Sequence, residues 1–175
     1  AGHVRIFQLV GNTWQQLGND IDGEATNDKS GQSVSLSADG SIVAIGAHGN
    51  LGTGFTESGH VRIYQWLSNT WVQMGADIDG EAALDNSGYS LDLSANGKTL
   101  VVGAYANDGT GPTDIGHVRV YTWTGTNWVQ KGTDIDGEGA GDFSGRSVSI
   151  SADGNIISVG APMNDGSSSN AGHVR

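Results

Sequence analysis

The amino-acid sequence predicts an all-β protein, a β-propeller built from four-stranded antiparallel blades, because three observations agree. The motif Gly-His-Val-Arg recurs through the 175-residue chain at spacings of 57, 57 and 56 residues. Each period holds four strand-like segments and no helical pattern, and a tight Ala95-Asn96-Gly97 turn joins two of these segments. Repeats that contain four antiparallel strands are typical of propeller blades. The motif lies at Gly2–Arg5, Gly59–Arg62, Gly116–Arg119 and Gly172–Arg175.

The four segments of one period differ in pattern, and the differences predict their order in the blade. Tyr89–Ser94 is rich in small residues, which suit a crowded central channel, and Thr99–Ala104 is almost entirely apolar, as in a strand buried on both faces. His60–Trp66 alternates between two faces, and Thr70–Gly75 carries a repeated Trp. We therefore expect the serine-rich strand innermost, followed outward by the apolar strand, the Gly-His-Val-Arg strand and the tryptophan strand.

The chain holds about three blades' worth of strands, fewer than the roughly four to eight blades of a closed propeller. A β-solenoid is the competing interpretation, but its coils are shorter and lack repeated hairpin turns. Either the chain is an excerpt of a longer array, which the duplicated strand start at Gly172–Arg175 favours, or two chains pair their half-blades to complete a ring. The predicted units are an outer half-blade with its connecting loop (1–29), two blades (30–86 and 87–143), and an inner half-blade with the start of the next strand (144–175).

Composition excludes several classes of function. Lys and Arg total 8 against 19 Asp and Glu, which gives a formal net charge of −11. Such a chain would be repelled by nucleic-acid phosphates and by anionic lipid, and no apolar run reaches the roughly 18–20 residues of a membrane helix. The chain has no Cys, which excludes disulfides and Cys-ligated zinc. We expect neither a nucleic-acid partner nor membrane insertion.

Three stretches resemble the FG-GAP repeat, which builds the propeller of integrin α-subunits and occurs in many secreted microbial proteins. They are Asp142–Val148, Val159–Pro162 and Gly116–Tyr121. The resemblance implies a propeller and an extracellular or cell-surface location. The calcium loop of the family is reduced here to Ser37–Gly40 and its equivalents, where one carboxylate cannot supply the six to eight oxygen ligands that calcium takes.

An acidic motif, Asp-Ile-Asp-Gly-Glu with a further Asp four residues on, recurs in each period and contains 12 of the 19 carboxylates. Oxygen ligands at alternate positions around a Gly are an arrangement that calcium prefers, so calcium is the one cofactor that the sequence suggests. The alternative, which we favour slightly, is that the carboxylates cap turns and pair with the repeated Arg. The candidates are Asp20, Asp22, Glu24, Asp28, Asp77, Asp79, Glu81, Asp85, Asp134, Asp136, Glu138 and Asp142.

Three other residue types recur once per period, and for these a structural role is the simpler interpretation. The repeated Arg suits a latch between blades, and a repeated His on a buried strand is more often a hydrogen-bonding group than a metal ligand. The repeated Trp is expected to pack against the next blade, although Trp also stacks on sugars in propeller lectins. The residues are His3, His60 and His117, Arg5, Arg62 and Arg119, and Trp14, Trp71 and Trp128.

The loops between the second and third strands of each blade vary most between repeats. They comprise His48–Ser58, Tyr105–Ile115 and Pro162–Ala171, and they should share a face with the acidic motif. Variable polar loops on a rigid scaffold are where binding residues usually lie. The candidate binding residues are Phe55, Tyr105, Asn107, Asp108, Asn164 and Asp165.

Together these features predict a non-enzymatic extracellular module for adhesion or ligand binding through the loop face. Its expected partners are a protein or glycan on a cell surface or matrix, and other copies of the same repeat. The alternatives are a structural subunit that completes a propeller by oligomerisation and a lectin-like glycan-binding propeller. An enzyme would require one repeat with a unique polar cluster in the channel, and the near-identity of the repeats speaks against it.

Overall fold

The computed structural model describes residues 1–51, 56–109, 113–166 and 168–175, and these residues form strands without any helix. The predicted all-β class is therefore confirmed. No apolar helix of membrane-spanning length occurs among the described residues. The strands are β1 (His3–Val4), β2 (Phe7–Val10), β3 (Thr13–Gln16), β4 (Ile21–Asp22), β5 (Ser33–Leu36), β6 (Ile42–Ala47), β7 (His60–Leu67), β8 (Thr70–Gln73), β9 (Ile78–Asp79), β10 (Ser90–Leu93), β11 (Thr99–Ala104), β12 (His117–Trp123), β13 (Trp128–Gln130), β14 (Ile135–Asp136), β15 (Ser147–Ile150), β16 (Ile157–Ala161) and β17 (His173–Val174).

Two five-stranded antiparallel sheets occupy the middle of the chain. The first has the order β5-β6-β7-β8 with β9 also paired to β7, and the second repeats this order as β10-β11-β12-β13 with β14 paired to β12. The register repeats with the sequence, since Gly46 pairs with Val61 in the first sheet and Gly103 with Val118 in the second. The predicted order, from the serine-rich strand to the tryptophan strand, is confirmed.

Incomplete sheets lie at both ends of the chain. The first half-blade contains the pairs β1-β4 and β2-β3, and the last contains the three-stranded sheet β15-β16-β17. β15 and β16 match the inner two strands of a full sheet, and β17 is the start of the third.

The outermost strand is interrupted, and its pairing continues beyond the segment that the sequence predicts. The expected segment Thr70–Gly75 is β8, which ends at Gln73, and the chain then pairs again as β9. Met74 N donates to Ile63 O, and Gly75 follows with a φ of +78°, a backbone conformation that favours glycine. This break between β8 and β9 is a bulge that displaces Asp77 from the ladder. The second Asp of each acidic motif therefore lies in a strand, not in a loop as predicted: Asp22 in β4, Asp79 in β9 and Asp136 in β14.

The core lies between sheets, where faces of neighbouring repeats pack together. Ile63 of the first sheet and Leu100 of the second are fully buried members of one cluster, which Leu91 and Leu93 join from β10. The equivalents of these leucines in β5, Val34 and Leu36, are 53% and 48% exposed because no repeat covers that face. Burial of a position thus depends on having a repeat on its flank.

Small residues allow the innermost strands to approach closely. A Cβ on Gly46 would overlap the carbonyl oxygen of Gly88, and one on Gly103 would overlap that of Gly145. The same two carbonyl oxygens accept hydrogen bonds from serines of the preceding repeat. Ser33 Oγ donates to Gly88 O and Ser90 Oγ to Gly145 O, both at 2.7 Å.

The repeated tryptophans join each blade to the preceding repeat. Trp71 Nε1 donates to Leu17 O and Trp128 Nε1 to Met74 O, both at 2.9 Å. The predicted direction of this contact, toward the next blade, was therefore wrong. Trp14 belongs to the first repeat of the chain and is 66% exposed.

Candidate functional sites on the loop face

The variable loops and the acidic motif meet on one face of the sheets. Leu84 N, which follows the second acidic motif, donates to Thr56 O at 2.8 Å, and Ser87 N donates to Ser58 O at 2.9 Å. Both loops leave the sheet beside the start of β7, so their side chains form a continuous polar surface, called the loop face below.

The last carboxylate of each acidic motif is buried and caps a turn. Asp28, Asp85 and Asp142 are 1%, 3% and 4% exposed. The Oδ2 atom of each accepts the backbone N–H of the residue three positions earlier, at 2.7–2.9 Å. Asp142 Oδ2 also accepts Asn164 Nδ2 at 2.7 Å. In this geometry these three carboxylates organise the backbone of the connecting loop.

The Glu of each acidic motif contacts the Arg of the following repeat. Arg62 Nη1 lies 3.5 Å from Glu24 Oε1, and Arg62 Nη2 donates to the Asp22 carbonyl oxygen at 2.7 Å. Arg119 contacts Glu81 and holds Asp134 of its own repeat with two hydrogen bonds, at 2.9 and 2.7 Å. Arg175 Nη2 lies 2.9 Å from Glu138 Oε1, whereas Arg5 lies over the Phe7 ring.

The first Asp of each acidic motif accepts a hydrogen bond from a Gln four residues earlier. The three pairs are Gln16–Asp20, Gln73–Asp77 and Gln130–Asp134, each at 2.6 Å. Calcium binding by the acidic motif stays a prediction, as do an extracellular location and a cell-surface partner.

Three repeated histidines face carboxylates at the seams between repeats: His60, His117 and His173, and the first two are buried. His60 and His117 are 1% and 4% exposed, whereas His3 is exposed. Burial lowers the pKa of both buried imidazoles, which are therefore neutral at pH 7. His60 lies with Glu24 and Asp77, and His117 with Glu81 and Asp134, in groups whose ligand atoms all fall within 4.8 Å of one another. The sequence predicted a hydrogen-bonding role for these histidines and did not group them with the carboxylates.

The predicted binding residues are mostly turn formers. Asn107 Oδ1 accepts Gly109 N, and Asn164 Oδ1 accepts Gly166 N, at 2.7 and 2.9 Å. Asp108 and Asp165 accept backbone N–H groups further along their own loops. Phe55 lies outside the described residues. Among the described members of the predicted set, Asn164 also donates to Asp142 and Glu138, and Tyr105 joins an aromatic cluster.

That cluster lies at the inner end of the loop face and is called the channel-mouth cluster. His48 and Tyr89 meet edge to face at 5.2 Å between ring centroids, and Tyr89 meets Tyr105 at 4.6 Å. Tyr105 contacts Phe143 at 5.8 Å. The Arg146 guanidinium lies over both Tyr89 and Tyr105, at 5.5 and 5.3 Å. Five side chains from three successive repeats thus meet at one point.

The channel-mouth cluster is built where the repeats differ. Tyr89 and Arg146 precede the innermost strands β10 and β15, at the position that Gln32 holds before β5. His48 and Tyr105 follow β6 and β11, at the position of Pro162 after β16. The sequence analysis missed all of the cluster except Tyr105. A comparison of the repeats position by position at the strand ends would have revealed it.

Charge and burial set the chemistry of the cluster. Burial, with a contribution from the nearby Lys29, lowers the pKa of His48, so its imidazole is neutral at pH 7. His48 Nδ1 is buried and has no hydrogen-bond partner among the residues that the structure describes. Burial raises the pKa of Tyr105, which stays protonated. Arg146 forms no ion pair with any residue that the structure describes.

An open cavity of about 760 Å³ adjoins the cluster. Tyr89, Arg146, Pro162 and His173 contribute to its lining. The cavity lies against the last sheet, and its walls combine aromatic, cationic and backbone groups.

Two solved structures are similar to the chain. A protein from Bacteroides uniformis ATCC 8492, named as a putative 6-phosphogluconolactonase, aligns with a TM-score of 0.61 and 12% identity over 93% of this chain and 42% of its own. A second protein with the same name, from Bacteroides fragilis NCTC 9343, aligns with a TM-score of 0.51 and 18% identity over 78% of this chain and 34% of its own. At these identities the likeness shows the fold, which is β-propeller-like.

The chain spans less than half of each of these two proteins. No protein-family model and no curated protein matches the sequence, so no model match supports the FG-GAP resemblance. The predicted function, a non-enzymatic adhesion module, is contradicted because these propeller neighbours carry the name of an enzyme. The physical reason for the error lies in the repeats. Their near-identity was taken to exclude a unique polar cluster, and the channel-mouth cluster is one.

Proposed function

We propose that the chain is part of a β-propeller enzyme whose substrate site is the channel-mouth cluster. The substrate class is an anionic sugar-like lactone, which the names of the two structural neighbours suggest. The observation that carries the proposal is the convergence of His48, Tyr89, Tyr105 and Arg146 at strand ends where the repeats differ. These four side chains come from three successive repeats, so their contact is not a product of the repeated sequence alone.

The residues of the cluster offer three complementary functions. Arg146 provides positive charge for a phosphate or carboxylate group. Tyr89 and Tyr105 offer aromatic faces and hydroxyl groups to a sugar ring. A neutral His48 can accept a proton.

The proposed reaction is hydrolysis of the lactone ester. A water molecule adds to the ring carbonyl carbon while His48 accepts one of its protons. The bond between the carbonyl carbon and the ring oxygen then breaks, and the ring oxygen receives a proton from His48. The product is the open hydroxy acid, so one water is consumed and His48 returns to its neutral form.

Further blades would complete the ring, while the residues of the channel-mouth cluster all lie within this chain. Because the chain spans 42% and 34% of the two neighbours, we place it as about three blades, of an FG-GAP-like type, in a larger propeller. On that arrangement the cavity beside Arg146 faces the channel and a following blade.

Binding of 6-phosphogluconate, the hydroxy acid of such a reaction, tests the site without requiring turnover. In isothermal titration with the 175-residue chain, we expect Arg146→Met to weaken binding by at least about tenfold, because a charged hydrogen bond contributes about 1.5–3 kcal/mol. Lys98→Met removes an equal charge from an exposed turn at the other end of the strands and should leave binding unchanged. Equal loss in both variants, or no binding by the parent chain, contradicts the proposal.

A further inference from the structure

The seam between the first half-blade and the first full sheet holds three ligand-type side chains around one small volume. His60 Nδ1 lies 3.6 Å from Asp77 Oδ2 and 3.9 Å from Glu24 Oε2. Both distances exceed the usual limit of about 3.2 Å for an N–H···O hydrogen bond. They are close to the roughly 3.3–3.6 Å between neighbouring ligands of a tetrahedral zinc ion with bonds of about 2.0–2.2 Å. The three atoms are thus spaced as ligands around an ion.

The imidazole of His60 is itself incompletely satisfied. Its side chain is 2% exposed, and Nδ1, the ring nitrogen that faces Glu24 and Asp77, lies beyond hydrogen-bond distance of both carboxylates. A buried polar group that lacks a partner is costly, so its presence needs an explanation.

The two carboxylates that face His60 have oxygens available. Asp77 Oδ1 accepts Gln73 Nε2 at 2.6 Å, which fixes the carboxylate and leaves Oδ2 directed at His60. Glu24 Oε1 faces Arg62 at 3.5 Å, which leaves Oε2 directed at His60. Arg62 Nη2 donates to the Asp22 carbonyl oxygen at 2.7 Å, and its contact with Glu24 is to Oε1, the oxygen that does not face His60. Carboxylates that bind metal ions are usually held in place by a hydrogen bond from a neighbouring group, as Gln73 holds Asp77 here.

The equivalent group in the next repeat is closed by its arginine. Arg119 donates to both oxygens of Asp134 and contacts Glu81, so a guanidinium already occupies both carboxylates. His117 Nδ1 is 4.0 Å from Asp134 Oδ2. The two seams contain equivalent residues and differ in the position of the arginine: Arg119 binds both carboxylates, whereas Arg62 does not bind Asp77.

We propose that Glu24, His60 and Asp77 form a binding site for a divalent transition-metal ion, with zinc as the representative. The ion would join the connecting loop of one repeat to the third strand of the next, β7, and to the bulge between β8 and β9. One nitrogen and two carboxylate oxygens suit zinc, with a fourth position open to water. Calcium prefers oxygen ligands only, so the site discriminates against it. At the second seam Arg119 takes the place of the ion.

Zinc chloride titrated into the intact chain, followed by calorimetry and native mass spectrometry, tests the proposal. We expect one zinc ion per chain, and a loss of affinity of more than about tenfold in His60→Gln and in Asp77→Asn. His117→Gln is the matched control and should bind zinc as the parent does. Circular dichroism checks that each variant folds. Calcium chloride should neither bind this site nor displace zinc from it.

A gain of binding provides a test that misfolding cannot imitate. Arg119→Gln frees Glu81 and Asp134, and we expect the stoichiometry to rise from one zinc ion to two. Cobalt(II) bound to the parent chain should show the visible absorption of a protein-bound, tetrahedral ion, and His60→Gln should abolish it. No zinc binding by the parent, binding that survives His60→Gln, or an unchanged stoichiometry in Arg119→Gln overturns the proposal.

Discussion

At the scale of single residues, the turn between the first two strands of a repeat is closed by a serine that bonds an Asp in one repeat and an Asn in the next. Ser37 Oγ donates to Asp39 Oδ1 at 2.7 Å, and Ser94 Oγ donates to Asn96 Oδ1 at 2.9 Å. Each hydroxyl also accepts, at 3.0 Å, the backbone N–H of the residue five positions later. The hydrogen bonds from Ser37 and then Ser41 lower the pKa of Asp39 to about 2. The two turns therefore differ in one ionisable group.

This difference predicts that the loss of stability on replacing Ser37 depends on pH, whereas the loss on replacing Ser94 does not. Because the pKa of Asp39 is lower in the folded chain than in the unfolded chain, its stabilisation is complete above about pH 4 and is lost as the pH falls toward 2. Ser37→Ala should therefore cost more free energy of unfolding at about pH 6 than at about pH 3. Ser94→Ala should cost the same at both values. Urea unfolding measures both, and parallel pH profiles would contradict the assignment.

At the scale of strands, the seam between repeats depends on a glycine in the second strand. Gly103 in β11 and Gly160 in β16 are equivalent positions. A Cβ on Gly103 would overlap the Gly145 carbonyl oxygen of the next repeat, whereas the nearest atoms to a Cβ on Gly160 belong to Ser147 of its own sheet. A backbone carbonyl cannot move aside alone, but a serine hydroxyl can rotate.

Alanine substitutions at these two glycines separate the contact between repeats from the strand itself. Gly103→Ala should lower the free energy of unfolding by about 1–3 kcal/mol or more, because the inner strands must part to admit the methyl group. Gly160→Ala should cost less, since only the Ser147 side chain must adjust. Equal costs in urea unfolding would show that the seam does not determine the requirement for glycine.

Strand order and the positions of the inner strands could be predicted from the sequence because they follow from period and hydrophobic pattern. Thr99–Ala104 has the predicted bounds, since turn-forming residues flank the apolar run on both sides. The bulge that separates β8 from β9 could not be predicted, because Gly75 and Asp77 also fit a loop. The channel-mouth cluster depends on contacts between repeats, such as His48 with Tyr89, which period alone does not reveal.

At the scale of the whole molecule, each sheet is stabilised mainly by its neighbours. β10 contributes Leu91 and Leu93 to a core that also contains Ile42 and Ile63 of the preceding sheet. The hydrogen bonds of Trp71 and Trp128 also cross between repeats. The repeats therefore behave as a linear array, in which the stability of a unit includes its interfaces.

Two leucines at the same position of successive repeats test how much of the stability comes from packing against a neighbouring repeat. Leu93 in β10 is 6% exposed and Leu36, its equivalent in β5, is 48% exposed, so the same side chain occurs with and without a covering repeat. Leu93→Ala should cost about 2–5 kcal/mol of unfolding free energy because it leaves a cavity in the core between sheets. Leu36→Ala should cost less than about 1 kcal/mol, since water already reaches that side chain. Urea unfolding of both variants gives the comparison. A large cost at Leu36 would mean that another surface covers β5 in solution, and comparable small costs would mean that the sheets do not pack as a cooperative array.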